Sequence, residues 1–207
     1  MTYFIFSKRK NVSWHTFRGG TKMTTVQSET PAMVRLALMQ VFTLLDARFD
    51  LPLAELERRP ASRDDWTILE HLEHVCLCNQ FLLLTITKGC RKAGKRASEG
   101  QLPEGESDLA LLSGIAIPGA FDWPPPSHMV PTGTRTLPEL RAQLNSQRDQ
   151  CMELLSGIPA GEGRLCSIRM SVQALGRLDM YQWLYFLAQH ANYHLALIDA
   201  RQGARFF

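Results

Sequence analysis

Trp183-Leu184-Tyr185-Phe186-Leu187-Ala188-Gln189-His190-Ala191-Asn192-Tyr193-His194-Leu195-Ala196-Leu197 is the stretch that decides the fold. Trp183, Leu187, His190, His194 and Leu197 recur at spacings of four, three, four and three. Those spacings place them on one stripe of a helix, the seam along which it packs in a bundle. Imidazoles in such a seam lose their water and need a partner. A metal ion is one partner, because residues i and i+4 project from the same helix face. Hydrogen bonds to Asn79, Gln147 or water are the other. A lone His-x-x-x-His leaves both open.

Three further helices flank this one in the sequence. Thr30 precedes Pro31, a favoured first-turn residue, and opens a helix to about Arg48 with Val34, Leu38, Val41 and Leu45 on its seam. A short helical turn follows around Ala54 to Arg58, ended by Pro60. Thr67 and Glu70 form a capping box for the second main helix. Its seam is Ile68, Leu72, Val75, Leu82 and Ile86, with Asn79 within it, and Gly89 is expected to end it. Thr136 and Glu139 repeat the box for the third, whose seam is Leu140, Leu144, Cys151 and Leu154 around Gln147. Asp179 and Gln182 cap the fourth, which runs to about Gln202.

About 45 residues, Gly89 to Arg135, separate the second helix from the third, and Trp123-Pro124-Pro125-Pro126 fixes one stretch of them as extended. A connection this long crosses the bundle or is functional. The fold class is therefore all-α, a four-helix bundle with one long crossover between helices 2 and 3. No strand pattern competes with the helices, though Cys166 to Val172 alternates weakly and is a candidate for extended chain.

Composition narrows the functions. The 207-residue chain is 45% hydrophobic and 21% charged, ordinary for a globular domain. No apolar run reaches bilayer length, so no membrane span is expected. The net charge is +3, and the densest basic run, Lys88 to Arg96, lacks interleaved aromatics. It reads as a solvated loop, not a nucleic-acid surface. Five cysteines without framework spacing argue against a disulfide scaffold or zinc ribbon. They suit free thiols of a reducing, cytoplasmic compartment. The domain is expected over residues 29–207. Residues 1–28 carry five basic and no acidic residues. They read as a disordered tail, or as an artefact of translation that begins at Met23.

A third ligand must come from a facing helix. The second helix offers His71 and His74. Periodicity does not choose between them, since His71 lies nearer the apolar seam. Trp66 can pack on His71 as a staple, which gives His71 a structural task and leaves His74 freer. Three neutral imidazoles leave one coordination position open for water or substrate.

The stretch Asp65-Trp66-Thr67-Ile68-Leu69-Glu70-His71-Leu72-Glu73-His74 resembles the second-helix signature of the DinB/YfiT superfamily, a Trp-Ser/Thr pair with a histidine eight residues after the Trp. Gly176-Arg177-Leu178-Asp179, Trp183-Leu184 and His190-Ala191-Asn192-Tyr193-His194 resemble its last-helix signature. The resemblance spans about residues 31 to 203. It implies a four-helix bundle holding a divalent metal, zinc or nickel, through His74, His190 and His194. Many relatives place Arg before the last His and Gln two after it, where this chain has Tyr193 and Ala196.

The resemblance also implies a metal-dependent transferase acting with a low-molecular-weight thiol on a small-molecule substrate. Asn79, Gln147 and Tyr193 are the expected pocket lining, with helix register as the alternative role for Asn79 and Gln147. A metal-dependent hydrolase and a non-enzymatic stress-response binding protein of the same fold are the competing readings. A homodimer is compatible with either. Because residues 1–28 show little apolar periodicity, a chain begun at Met23 should melt at the same temperature as the full chain. A large drop in calorimetry would show that the segment packs on the domain.

Overall fold

The computed structural model describes residues 28–60, 65–120, 124–170, 172 and 175–203. Residues 1–27, on which most of the tail expectation falls, lie outside this set, as does Trp123 of the Trp-Pro run. The chain forms α1 (Thr30–Arg48), α2 (Leu53–Leu56), α3 (Ile68–Ser98), α4 (Leu137–Ser156) and α5 (Met180–Gly203). One small antiparallel hairpin, β1 (Ser167–Met170) with β2 (Gly176–Asp179), precedes α5. Among the described residues no helix is long and apolar enough to cross a membrane.

Local chemistry sets the helix starts. Thr67 Oγ1 accepts from the Glu70 amide at 3.1 Å and Glu70 Oε2 accepts from the Thr67 amide at 2.7 Å, a complete capping box. Thr136 and Glu139 do the same for α4. Asp179 Oδ1 accepts from the amides of Tyr181 and Gln182, while Gln182 Oε1 accepts from the Asp179 amide. Thr30 is the first residue of α1, not its cap, and its hydroxyl bonds to Glu106 in the crossover.

α1 and α3 each pack against both α4 and α5, which places α1 and α3 on opposite corners of the bundle. Val34, Leu38, Val41 and Leu45 of α1 meet Leu72, Val75 and Ile86 of α3 and Leu140 and Leu144 of α4 in one core. On α4 the seam closes with Leu155, fully buried, instead of the half-buried Leu154. α5 is apolar nearly all round, and Tyr181, Leu184, Leu187, Ala188, Ala191 and Ile198 are wholly enclosed. A helix of that kind belongs in the interior.

Gly89 does not end α3, which continues another nine residues to Ser98. The basic run therefore lies on the last helical turns, with Lys88, Arg91, Lys92 and Lys95 outside the core and Ala93 buried. Cations there face the negative end of the helix dipole. Gly89 serves packing. A Cβ built on it would stand 1.9 Å from the Sδ of Met180 and 3.3 Å from Cδ1 of Ile168. The missing side chain lets the hairpin and the start of α5 close on α3.

The crossover, Glu99 to Thr136, is pinned at both ends. Near its start Ser107 Oγ donates to Asp179 Oδ2 at 2.7 Å, and the Asp108 carbonyl accepts from Gln182 Nε2 at 2.9 Å. Near its end the buried Glu73 carboxylate accepts from the Thr132 amide, the Thr132 hydroxyl and the Gly133 amide at 2.8–3.1 Å. Gly133 turns there with φ +67°, a conformation that favours glycine.

Alanine is the better helix former mid-helix by about 1 kcal/mol, yet Gly89→Ala should lower stability by about 1–3 kcal/mol through overpacking. Denaturant midpoints test this. In a Met180→Ala background, the added methyl should cost less or become favourable.

Candidate metal centre

α3 and α5 carry the site, and the end of the crossover closes it. His74 on α3 and His190 and His194 on α5 are all buried, and each offers a ring nitrogen within 4.8 Å of the others. His190 Nε2 and His194 Nε2 are 3.2 Å apart. That is about the separation of two nitrogens that share one tetrahedral ion at about 2.0–2.1 Å from each. His74 Nδ1 donates to the Met129 carbonyl at 2.8 Å. This bond fixes the proton on Nδ1 and leaves the Nε2 lone pair for a ligand.

The donor set fits a zinc- or nickel-class ion. All three rings are neutral imidazoles, the form that ligates. Burial holds the His190 pKa down to about 3, assisted by His74. Burial likewise lowers His74 and takes His194 well below the usual histidine value. Two neutral rings with Nε2 atoms 3.2 Å apart can share one hydrogen bond at most, whereas a cation satisfies both lone pairs.

His71 has a role that the sequence did not suggest. Its Nδ1 lies 3.0 Å from His194 Nδ1. With His194 Nε2 turned to the cluster, His194 Nδ1–H donates and His71 Nδ1 accepts. His71 then carries its own proton on Nε2, which has no hydrogen-bond partner among the described residues. His71 thus orients His194 from behind. Its pKa falls to about 3, chiefly through burial and then through Arg201 and His74. Trp66 is more than a staple on His71. Its ring centroid is 5.6 Å from that of His71, 4.7 Å from that of His74 and 6.2 Å from that of His194.

The cluster opens on a cavity of about 580 Å3. Trp66, Phe81, Pro125, Met129, Trp183 and Phe186 supply much of its wall, and Tyr193 lines it edge-on to His194. Asn79 and Gln147 are not among its lining residues. They pair with each other at 3.2 Å between α3 and α4, and Gln147 Nε2 donates to the Cys76 carbonyl at 2.8 Å. The polar seam therefore fixes helix register, and the cavity lies on the α5 side of α3. Glu73 does not line the cavity either: it is 2% exposed and fastens the crossover behind Met129.

A family model for the DinB superfamily matches residues 37–198. The chain belongs to the DinB superfamily. No curated protein and no solved structure matches it. DinB membership and a buried histidine group that could hold a metal ion are thus established together.

The buried rings make metal-free stability depend on pH. Unfolded, each histidine takes up a proton near pH 6.5; folded, His71 and His190 do so only near pH 3. The folded pKa values are depressed, so this stability is complete above about pH 6.5 and is lost as the pH falls toward about 3. Each ring contributes about 1.4 kcal/mol per pH unit within the window. Denaturation of the metal-free protein should show little change between about pH 7.5 and 8.5. It should show a loss of about 2 kcal/mol or more from about pH 6 to pH 5. A flat profile down to acid pH would mean the rings are solvated.

Proposed function

We propose that this DinB protein binds zinc or nickel through Nε2 of His74, His190 and His194 and acts as a metal-dependent thiol transferase with a low-molecular-weight thiol. The observation that carries the reading is the convergence of three neutral imidazoles on an apolar cavity, with no carboxylate in the converging group among the described residues. When bound, the ion would lower the pKa of an adjacent thiol so that the nucleophilic anion exists near neutral pH.

The chain's own residues do the rest. Met129 and His71 hold His74 and His194 in the ligating tautomers and orientations. Trp66, Trp183 and Phe186 give the electrophile an apolar surface and keep water from competing for it. Tyr193 brings a phenol to the same space.

Hydrolysis would need a general base near the reacting water. Glu70 is committed to the Thr67 cap and to Arg59, and Glu73 to Thr132 and Gly133. Asp65, the only carboxylate lining the cavity among the described residues, is exposed and lies 3.7 Å from Arg201. An ion would itself acidify a bound thiol or water, so this lining argues only against a hydrolase that relies on a carboxylate base; together with the apolar wall, it supports transfer.

Elemental analysis should find about one divalent ion per chain. His74→Ala, His190→Ala and His194→Ala should each remove it. His71→Ala should weaken binding about 10–100-fold, the scale for losing a partner that orients a ligand. The loaded protein should consume a thiol in the presence of an apolar electrophile and leave simple esters intact. Ester hydrolysis without thiol consumption would favour the hydrolase, and metal binding with neither activity a binding protein.

A further inference from the structure

Among the described residues Cys78 is the one thiol that lines the histidine cavity. It follows His74 by one helical turn on α3, so the two side chains share a face. Its Sγ lies 3.3 Å from His74 Nε2, the nitrogen left with a lone pair by the bond to Met129. It is also 3.4 Å from Met129 Sδ, and it is buried. In this arrangement the thiol donates its proton to the very atom that would hold an ion.

We infer that Cys78 is a fourth protein ligand, closing the coordination position that the three histidines leave open until a substrate thiol displaces it. The inference rests on the metal reading above. Thiolate sulfur is a preferred donor for zinc-class ions, and one cysteine with three histidines makes a complete tetrahedral set. Sγ stands outside the group of nitrogens that lie within 4.8 Å of one another. A change of χ1 between staggered rotamers swings the sulfur without moving α3. On ligation the S–H bond breaks, the proton leaves to solvent, and the sulfur lone pair forms the bond to the ion. On displacement the incoming thiol gives up its proton and Cys78 regains one, so protons and charge balance. The other cysteines have different surroundings: Cys76 faces the Leu140 carbonyl, and none of Cys76, Cys90, Cys151 and Cys166 lines the cavity.

Cobalt(II) bound to the full chain is the probe. The wild type should show tetrahedral d–d bands together with a near-ultraviolet thiolate-to-cobalt charge-transfer band. Cys78→Ser should keep the d–d bands and lose the charge-transfer band, and Cys76→Ser should keep both. Zinc affinity of Cys78→Ser, by chelator competition, should fall about 10–100-fold, at least the effect of losing an orienting partner. If that variant does not fold, Cys78→Ala serves, and the wild-type spectrum decides by itself. Adding a small thiol should change the wild-type band as one sulfur replaces another. Tetrahedral bands without charge transfer in the wild type, or a band that survives in Cys78→Ser, would overturn the role of Cys78 and leave the histidine site standing. No cobalt uptake would overturn both.

Discussion

The hydrogen bond from His74 Nδ1 to the Met129 carbonyl, 2.8 Å long, is the constraint on which the site depends. It joins α3 to Met129, the last residue of a short 3-10 turn near the end of the crossover. It also decides chemistry, because a neutral imidazole that donates from one nitrogen presents a lone pair at the other. Without it His74 could turn Nε2–H to the cluster and offer no ligand at all. Glu73, the neighbouring residue, holds Thr132 and Gly133. Two adjacent side chains of α3 thus fix a carbonyl and the turn just beyond it.

The same logic runs through His71. A histidine bonded to a histidine transmits tautomer choice, since one Nδ1 must donate and the other accept. The cost is visible in Nε2 of His71, a buried polar atom with no hydrogen-bond partner among the described residues, set against the orientation of His194. A core selected for stability alone would more readily place an apolar residue there. The burial of His71, His74, His190 and His194 within one small volume therefore points to function more strongly than any spacing does.

Much of this is legible in the sequence because it is local. Thr67/Glu70, Thr136/Glu139 and Asp179/Gln182 are patterns within one helical turn, and each forms as expected. The seams of α1 and α3 are periodic over several turns. What is not legible is long-range. The i, i+4 relation of His190 and His194 is written in one helix, but whether His71 or His74 faces them depends on the rotation of α3 against α5, which no single-helix pattern contains. Gly89 illustrates the same limit. As punctuation it reads as a stop, yet its reason is the side chain of Met180, 91 residues away. Asn79 misleads for a related cause: a polar residue in a helix seam reads as pocket lining until its partner on another element is seen.

Charge balance ties the donor set to the reactant. Three neutral imidazoles do nothing to offset a divalent cation, and a bare +2 charge among Trp66, Trp183 and Phe186 would carry a heavy desolvation cost. A carboxylate ligand would relieve it, but here the cavity's Asp65 is exposed and turned toward Arg201. Glu73, the nearest buried carboxylate in sequence, is already satisfied by three donors. On the metal reading proposed above, compensation would come from an anionic ligand in the open position. A thiolate meets the requirement better than hydroxide, since its diffuse charge is easier to desolvate and its softness matches the ion. The lack of a carboxylate in the converging group among the described residues and the apolar wall thus both support the proposal that sulfur, from a substrate or from Cys78, is the anion that would complete the site.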